Sequence, residues 1–517
     1  MRRVWKHLKK IANDEKASML LMAYFVIAIL LGVGATMFLL ANNQARMAER
    51  QRLTATAFHI AEAGIERTLY NLRQDVINVS GTMTPDWGDC NINGISISSG
   101  CPSTSTYYDL PYADTNFNNG TYSVQLKNDP SGDIWVKSKG TLNDVSHTIE
   151  VYVRLVNISP WNNAIFAGSG AAGAMINGNV DIRGSVHILG DGLSPGDFAV
   201  DLGGTSELVG NNYSGLDPTL KDKVPALPTT SVNGETVETL NAELRVKKGL
   251  VGLSGSATVG EANVDGNGVK EQIDGVYATD GFGGNQGSAA VYSDNGNTNA
   301  YDLGNAVQFP SLSDPVNGYS NYRAYLASLG ALVVNDPTDL NNLANVTPSS
   351  NFTVGDCSTN CISMDGSGNM TVKGVVVIDP NAGAGLPGNL DFEAAGSNKT
   401  ITYSGTGSIY VSGDVQVNTS LITSGSNSFP TNVVAIMTPK TMDFNQASSN
   451  VMGLFYAETQ ITVQKQTNIL GTIVSNYFDM GTNVPAIYQV PETVHSLPNG
   501  LISNNAFWYL VVAWIKT

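Results

Sequence analysis

The chain has 517 residues, a net charge of −16 from 28 Lys/Arg against 44 Asp/Glu, only 14% charged residues and 54 glycines. This length exceeds one ordinary domain and suggests about three. The acidic balance argues against a nucleic-acid partner, whose phosphates it would repel, and the low charge with abundant Gly describes a turn-rich surface.

The charge is unevenly divided, with 11 Lys/Arg and 5 Asp/Glu in residues 1–73 and 17 and 39 in the rest. From Ala17 to Ala41 there are 25 residues without a charge, enough to span a bilayer. Arg2, Arg3, Lys6, Lys9, Lys10 and Lys16 precede this run, so the positive-inside rule predicts a cytoplasmic N-terminus and an exported remainder. The run is too long for an ordinary secretory signal and has no small-residue cleavage site at its far end.

Past the apolar run, "AFHIAEAGIERTLYNLR" (57–73) places Phe58, Ala61, Ile65, Leu69 and Leu72 at steps of three and four, on one helical face. No proline interrupts the chain between Ala41 and Phe58, so one helix is predicted from about Met19 to Arg73. Such a rod is roughly 80 Å long against a hydrocarbon core of about 30 Å, and more than half of it stands outside the lipid.

Residues 74–118 read as loop. "TYSVQLK" (121–127), "DIWVKSKG" (133–140) and "SHTIEVYVRLV" (146–156) read as strands joined by turns. The sheet and the helix each have an apolar face to cover, so a small α+β domain is expected in which they cover one another.

Beyond about Trp161, short apolar runs alternate with Gly and Asn. "NGNVDIRGSVHI" (177–188) divides into two hexads, and blocks of 18 residues begin at Asn432, Asn450 and Asn468. A coil of a β-solenoid has about this length, and each coil buries its inner face against the next. Residues 319–333 carry a helical pattern and read as an excursion on the coil surface. The apolar "AFWYLVVAWIKT" reads as a strand that either caps the solenoid or joins the earlier sheet.

The fold class is therefore mixed: a long N-terminal helix with a small antiparallel sheet, then a mainly-β solenoid. The divisions are a leader (1–17), the helix (18–73), loop and sheet (74–156), a solenoid head (157–500) and a C-terminal strand (501–517).

Four cysteines suit an exported chain and allow three pairings; the reading adopted is the local one, Cys90 with Cys101 and Cys357 with Cys361. Their spacings are poor for zinc, with no His beside them, and the five histidines are scattered, so no metal or cofactor is expected. Asp-rich turns at Asp265, Asp294 and Asp365 offer oxygen ligands but do not continue as calcium loops, and read as tight turns. Asp443, Glu458 and Asp479, with Lys440 and Lys465, are too dispersed for a polysaccharide-cleaving site, so no enzyme is expected.

The basic leader, "EKASMLLMAYFVIAILLGVGATMFLL" and "RMAERQRLTATAFHIAEAGIERTLYNL" together resemble the PilX-type N-terminal segment of type IV pilus minor pilins, most specifically in "AFHIAEAGIE" (57–66). The resemblance covers about the first 75 residues well and the following strands more loosely. It implies cleavage by a prepilin peptidase between Ala17 and Ser18, with Ala17 where the family usually has Gly. Family members carrying Glu at the fifth mature position would place it at Met22; this sequence lacks it, and in that resembles the tip pseudopilin of type II secretion, which also lacks this Glu. The rest of the chain is similar, in composition, to solenoid regions behind some PilX-type segments. The expectation is a tip-located minor pilin presenting its head for adhesion, or priming assembly. Its implied partners are other major and minor pilins, the prepilin peptidase, the inner-membrane assembly machinery and a surface or glycan ligand. The rivals are a signal-anchored adhesin outside any pilus and a membrane-tethered polysaccharide-active enzyme.

Overall fold

A computed structural model describes residues 15–78, 91–97, 106–128, 134–157, 159–171, 179–193, 197–232, 235–240, 242–246, 250–260, 276–278, 308–316, 318–380, 388–397, 399–463, 465–480, 485–502 and 507–516. The chain divides into two compact units, Met1–Val156 with Tyr509–Thr517, and Asn157–Trp508.

In the first unit a single helix runs over Glu15–Asn78, 64 residues. Its first half is exposed on every side, with Met19, Phe25, Leu31 and Leu40 all open. Its second half lies on a sheet ordered Tyr108–Leu110, Gly120–Asn128, Ile134–Leu142, Val145–Asn157 and Phe507–Lys516, the first four strands antiparallel. Val124, Leu126, Ile134, Val136, Ile149, Val151 and Val153 are buried, as period-two alternation requires of a sheet with one covered face. Leu142 pairs with Val145 across a two-residue turn, and Asn143 supplies the positive φ of 52° that this tight hairpin needs. The C-terminal strand joins this sheet, so the second unit is inserted between two strands of the first.

The second unit is a parallel β-solenoid whose rungs follow the pairings Gly374 with Gly407, Thr406 with Val433, Ala435 with Leu454 and Asn450 with Asn468. The corresponding coil lengths are 33, 27, 19 and 18 residues. The 18-residue period thus holds from Asn450 through Asn468 to Ala486, and not for the earlier steps. Asn432 and Asn450 are out of register by one residue, because the turn Asn445–Ser448 is one residue longer than the turn between Val463 and Thr467. Asn450 and Asn468 do stack, the Nδ2 of Asn468 donating to the Oδ1 of Asn450 at 2.9 Å. Val433, Ile436, Val451, Leu454, Ile469 and Ile473 are all fully buried.

The chain enters this spiral in its middle. The coil beyond Thr467–Asp479 is composite: one side is Ala486–Tyr488, near the end of the chain, and another is Ile165–Ala171, near the start of the unit, both parallel to Thr467–Asp479. From there the coils continue outward, Asp181–Arg183 on Ala486–Tyr488, Val186–Ile188 on Ile165–Ala167, then Leu244–Val246 and Val276–Ala278. Read in space, one spiral runs from Asn369 to Tyr488 and on from Ile165 to Ala278.

Buried polar groups lock this seam. The Oε1 of Gln489 accepts from the Ser185 amide at 2.7 Å, its Nε2 donates to the Asn162 carbonyl at 2.9 Å, and the Nε1 of Trp161 donates to the Ile502 carbonyl at 2.6 Å. Phe309 stacks between Phe166 and Tyr456, and the Tyr456 hydroxyl donates to the Pro310 carbonyl. Val433–Thr438 is buried at every position rather than at alternate ones, with the Ile502 amide against the Met437 sulfur. At the outer end a hairpin, Asn351–Asp356 and Asn360–Asp365, pairs antiparallel to Asn369–Ile378.

Candidate functional site

The helix is the candidate assembly element, and its two halves differ in what they bury. On the sheet-bound half, Ala61, Ile65, Leu69 and Leu72 are buried, and Phe58 sits at the flank, half-buried, its ring edge-on to His147 at 5.4 Å. The buried face is completed by Ala57, Ile60, Gly64 and Thr68, at the same three- and four-residue spacing. Small or polar side chains hid Ala57, Gly64 and Thr68 from a pattern of apolar residues, whereas Ile60, large and apolar, fits the spacing and was left out of it. Gly64 allows the close approach: a Cβ there would collide with the Ser138 hydroxyl and sit 3.0 Å from the Tyr122 ring. A Cβ at Gly140 would strike the Ala57 carbonyl.

Polar groups fix the end of this face. The Thr68 hydroxyl donates to the Gly64 carbonyl at 2.7 Å and lies 2.9 Å from the Tyr112 hydroxyl. Arg67 donates to the Tyr122 hydroxyl at 2.7 Å and to the Asp114 carbonyl, its guanidinium 4.3 Å from the Tyr112 ring centre. Burial raises the Tyr112 hydroxyl pKa, so it stays a neutral hydrogen-bonding group.

Ala17 and Ser18 lie in the first turns of the helix, and their side chains fall outside the described residues. The apolar half following them is long enough and apolar enough to cross a membrane. This is compatible with a membrane anchor.

In the solenoid, Cys357 and Cys361 form a disulfide across the hairpin turn, with Cα atoms 4.8 Å apart. Cys90 and Cys101 lie outside the described residues, as do the turns at Asp265 and Asp294. The carboxylate of Asp365 is occupied by its own turn: Oδ1 accepts from the amides of Ser367 and Asn369, Oδ2 from the Asn369 side chain at 2.7 Å. These bonds, that of the Asn369 side chain foremost, lower its pKa.

The dispersed carboxylates are brought nearer than their sequence positions suggest. Asp391, Gln416, Asp443, Thr462 and Asp479 stand on successive rungs of one side of the solenoid, with Glu393 and Asn418 on the neighbouring positions. Burial, then Glu393 and Asp414, pushes the Asp391 carboxyl up to about 6. Burial likewise raises Asp443. The coils linking these residues differ in length, so no fixed period marks them in the sequence. Among the described residues no group of three or more His, Cys, Asp or Glu is set to hold a metal ion.

No model of a known protein family matches the sequence, and no curated protein matches it. Among solved structures, the chain is similar to the crystal structure of the competence-associated pilin ComZ from Thermus thermophilus, with a TM-score of 0.52 and 18% identity. The match covers 90% of this chain and 98% of that one, and so takes in both units. The fold is pilin-like. At 18% identity the likeness is one of fold.

Proposed function

We propose that this chain is a minor pilin of a type IV pilus, of the PilX type, held at the filament tip, where its solenoid serves adhesion to a surface or cell or primes assembly. The observation that carries this reading is the divided helix: one half buries its inner face on its own sheet, and the other exposes apolar side chains all round. A surface apolar on every side suits lipid before assembly and neighbouring pilin helices after it. The partners on this reading are other pilins, the prepilin peptidase acting at Ala17–Ser18 and the inner-membrane assembly machinery. The competence-associated pilin with a similar fold supports the same assignment.

Tip placement rests on bulk and on Met22. A unit spanning Asn157–Trp508 is difficult to repeat at every step of a close-packed filament, while one at the end meets no such clash. No catalytic role, metal or cofactor is part of this proposal.

The test is a headless variant. Because the head is inserted between two neighbouring strands of one sheet, Asn157 can be joined to Phe507 by a Gly/Ser linker, leaving helix and sheet intact. Cells making this variant should keep normal pilus numbers and lose attachment. Unchanged attachment rejects the adhesion role, and loss of all pili assigns the head to priming.

A further inference from the structure

We propose that the outer face of the pilin-like sheet is a docking surface for an acidic polysaccharide, an inference that goes beyond the pilus assignment and does not rest on it. Residues 74–156 hold nine Asp/Glu and four Lys/Arg. Three of those four cations, Lys127, Lys137 and Lys139, have outward parity on adjacent strands, since Leu126, Val136 and Ser138 between them are buried. Strand register sets them in a grid. Lys127, Trp135 and Tyr152 form one row, Gln125, Lys137 and Glu150 the next, and Ser123, Lys139 and Thr148 the third.

Aromatic rings are interleaved with these charges. Trp135 and Tyr152 lie 4.7 Å apart between centroids, and the ammonium groups of Lys127 and Lys137 each lie 4.9 Å from the Tyr107 ring centre. No ion pair between these three lysines and a carboxylate is present among the described residues. Local basicity on a chain of net charge −16 is a charge pattern for an anionic partner.

The composition of the face selects the kind of anion. Sugar rings present apolar C–H faces to flat aromatic side chains, and their hydroxyls donate to carboxylates and amides. Asp109, Glu150 and Gln125 supply those acceptors on the same face, with Gln125 donating to Asp109 at 2.8 Å and Tyr107 to Glu150. Uronate carboxylates then pair with the lysines. Nucleic acid fits less well, because its dense phosphate charge would meet Asp109 and Glu150 and the acidic chain around them.

Binding of the full-length protein in detergent micelles is measured against immobilised polygalacturonate, neutral dextran and single-stranded DNA at one salt concentration. Wild type should bind polygalacturonate and not dextran. The double variant Lys127→Glu/Lys137→Glu should lose at least tenfold in affinity, and Trp135→Ala should lose as much without a change in charge. Lys127→Gln/Lys137→Gln, a milder change, decides the case if the Glu pair lowers the melting temperature. The proposal is overturned by absence of polygalacturonate binding, by equal binding of wild type and folded variants, or by tighter binding of DNA that the same variants abolish.

Discussion

Replacing Gly471 by Ala tests the stacking of the solenoid coils. Gly471 has φ +133°, beyond the left-handed region that L side chains visit, and a side chain there costs at least about 1–2 kcal/mol. Its added Cβ would also press into the carbonyl of Gly453, its partner on the preceding coil. Backbone is what it meets, so no side chain can rotate away, and overpacking of this kind costs about 1–3 kcal/mol more. The sum is about 2–5 kcal/mol. An unfolding entropy of about 2.1 cal/mol/K per residue over Asn157–Trp508 gives about 0.7 kcal/mol/K, so the melting temperature should fall by about 3–7 °C. Gly396 separates strain from collision: its φ is +62° and nothing lies within 4 Å of an added Cβ. Gly396→Ala should cost only the strain, about 1 kcal/mol. Calorimetry of the full-length protein and both variants reads the difference. Gly471→Ala melting with wild type, or no earlier than Gly396→Ala, would refute the stacking of Gly453 beneath Gly471.

Asp391→Asn should stabilise the protein at pH 7–8 and leave it unchanged below about pH 4. The folded carboxyl is pushed up to about 6, so its contribution is complete below the unfolded value and is lost as pH rises through the folded one. Two pKa units correspond to about 3 kcal/mol, and solvent screening of this partly exposed group reduces the expected gain to about 1 kcal/mol. Paired denaturant titrations check it; equal stability at pH 8 would refute it. Mass spectrometry of protein exported by cells with active prepilin peptidase should find a mature chain starting at Ser18, and an intact Met1 would favour the signal-anchored rival.

The helix and the sheet were legible because each repeats one physical rule over many residues. Steps of three and four gave Ala61, Ile65, Leu69 and Leu72, and alternation gave the strands containing Val124, Val136 and Val151. The one-residue slip between the first two 18-residue blocks is visible in the sequence, where Met442 and Phe444 stand one place earlier in their block than Ile461 and Val463 in theirs, and these are the observed pairs. Gly453 matches Gly471 in sequence and in space, but Ala435 pairs with Leu454, since an extra turn residue shifts register without altering composition. The carboxylate stack through Asp391 and Asp443 and the composite coil were not legible at all. Both depend on coil stacking, which joins residues at separations that follow no repeat. The three lysines, Trp135 and Tyr152 lay within predicted strands, but their rows required the register between them, and Tyr107 lay in a stretch read as loop.

The composite coil governs when the head can finish folding. Ile165 finds its neighbour Ile473 only roughly 300 residues later in the chain, a separation that makes this among the slowest contacts to form. Until then the Ile165–Ala171 strand presents an unpaired edge, ready to accept a strand from another molecule. Synthesis therefore exposes a sticky edge that the completed protein conceals, and the last rungs made are the ones that cover it.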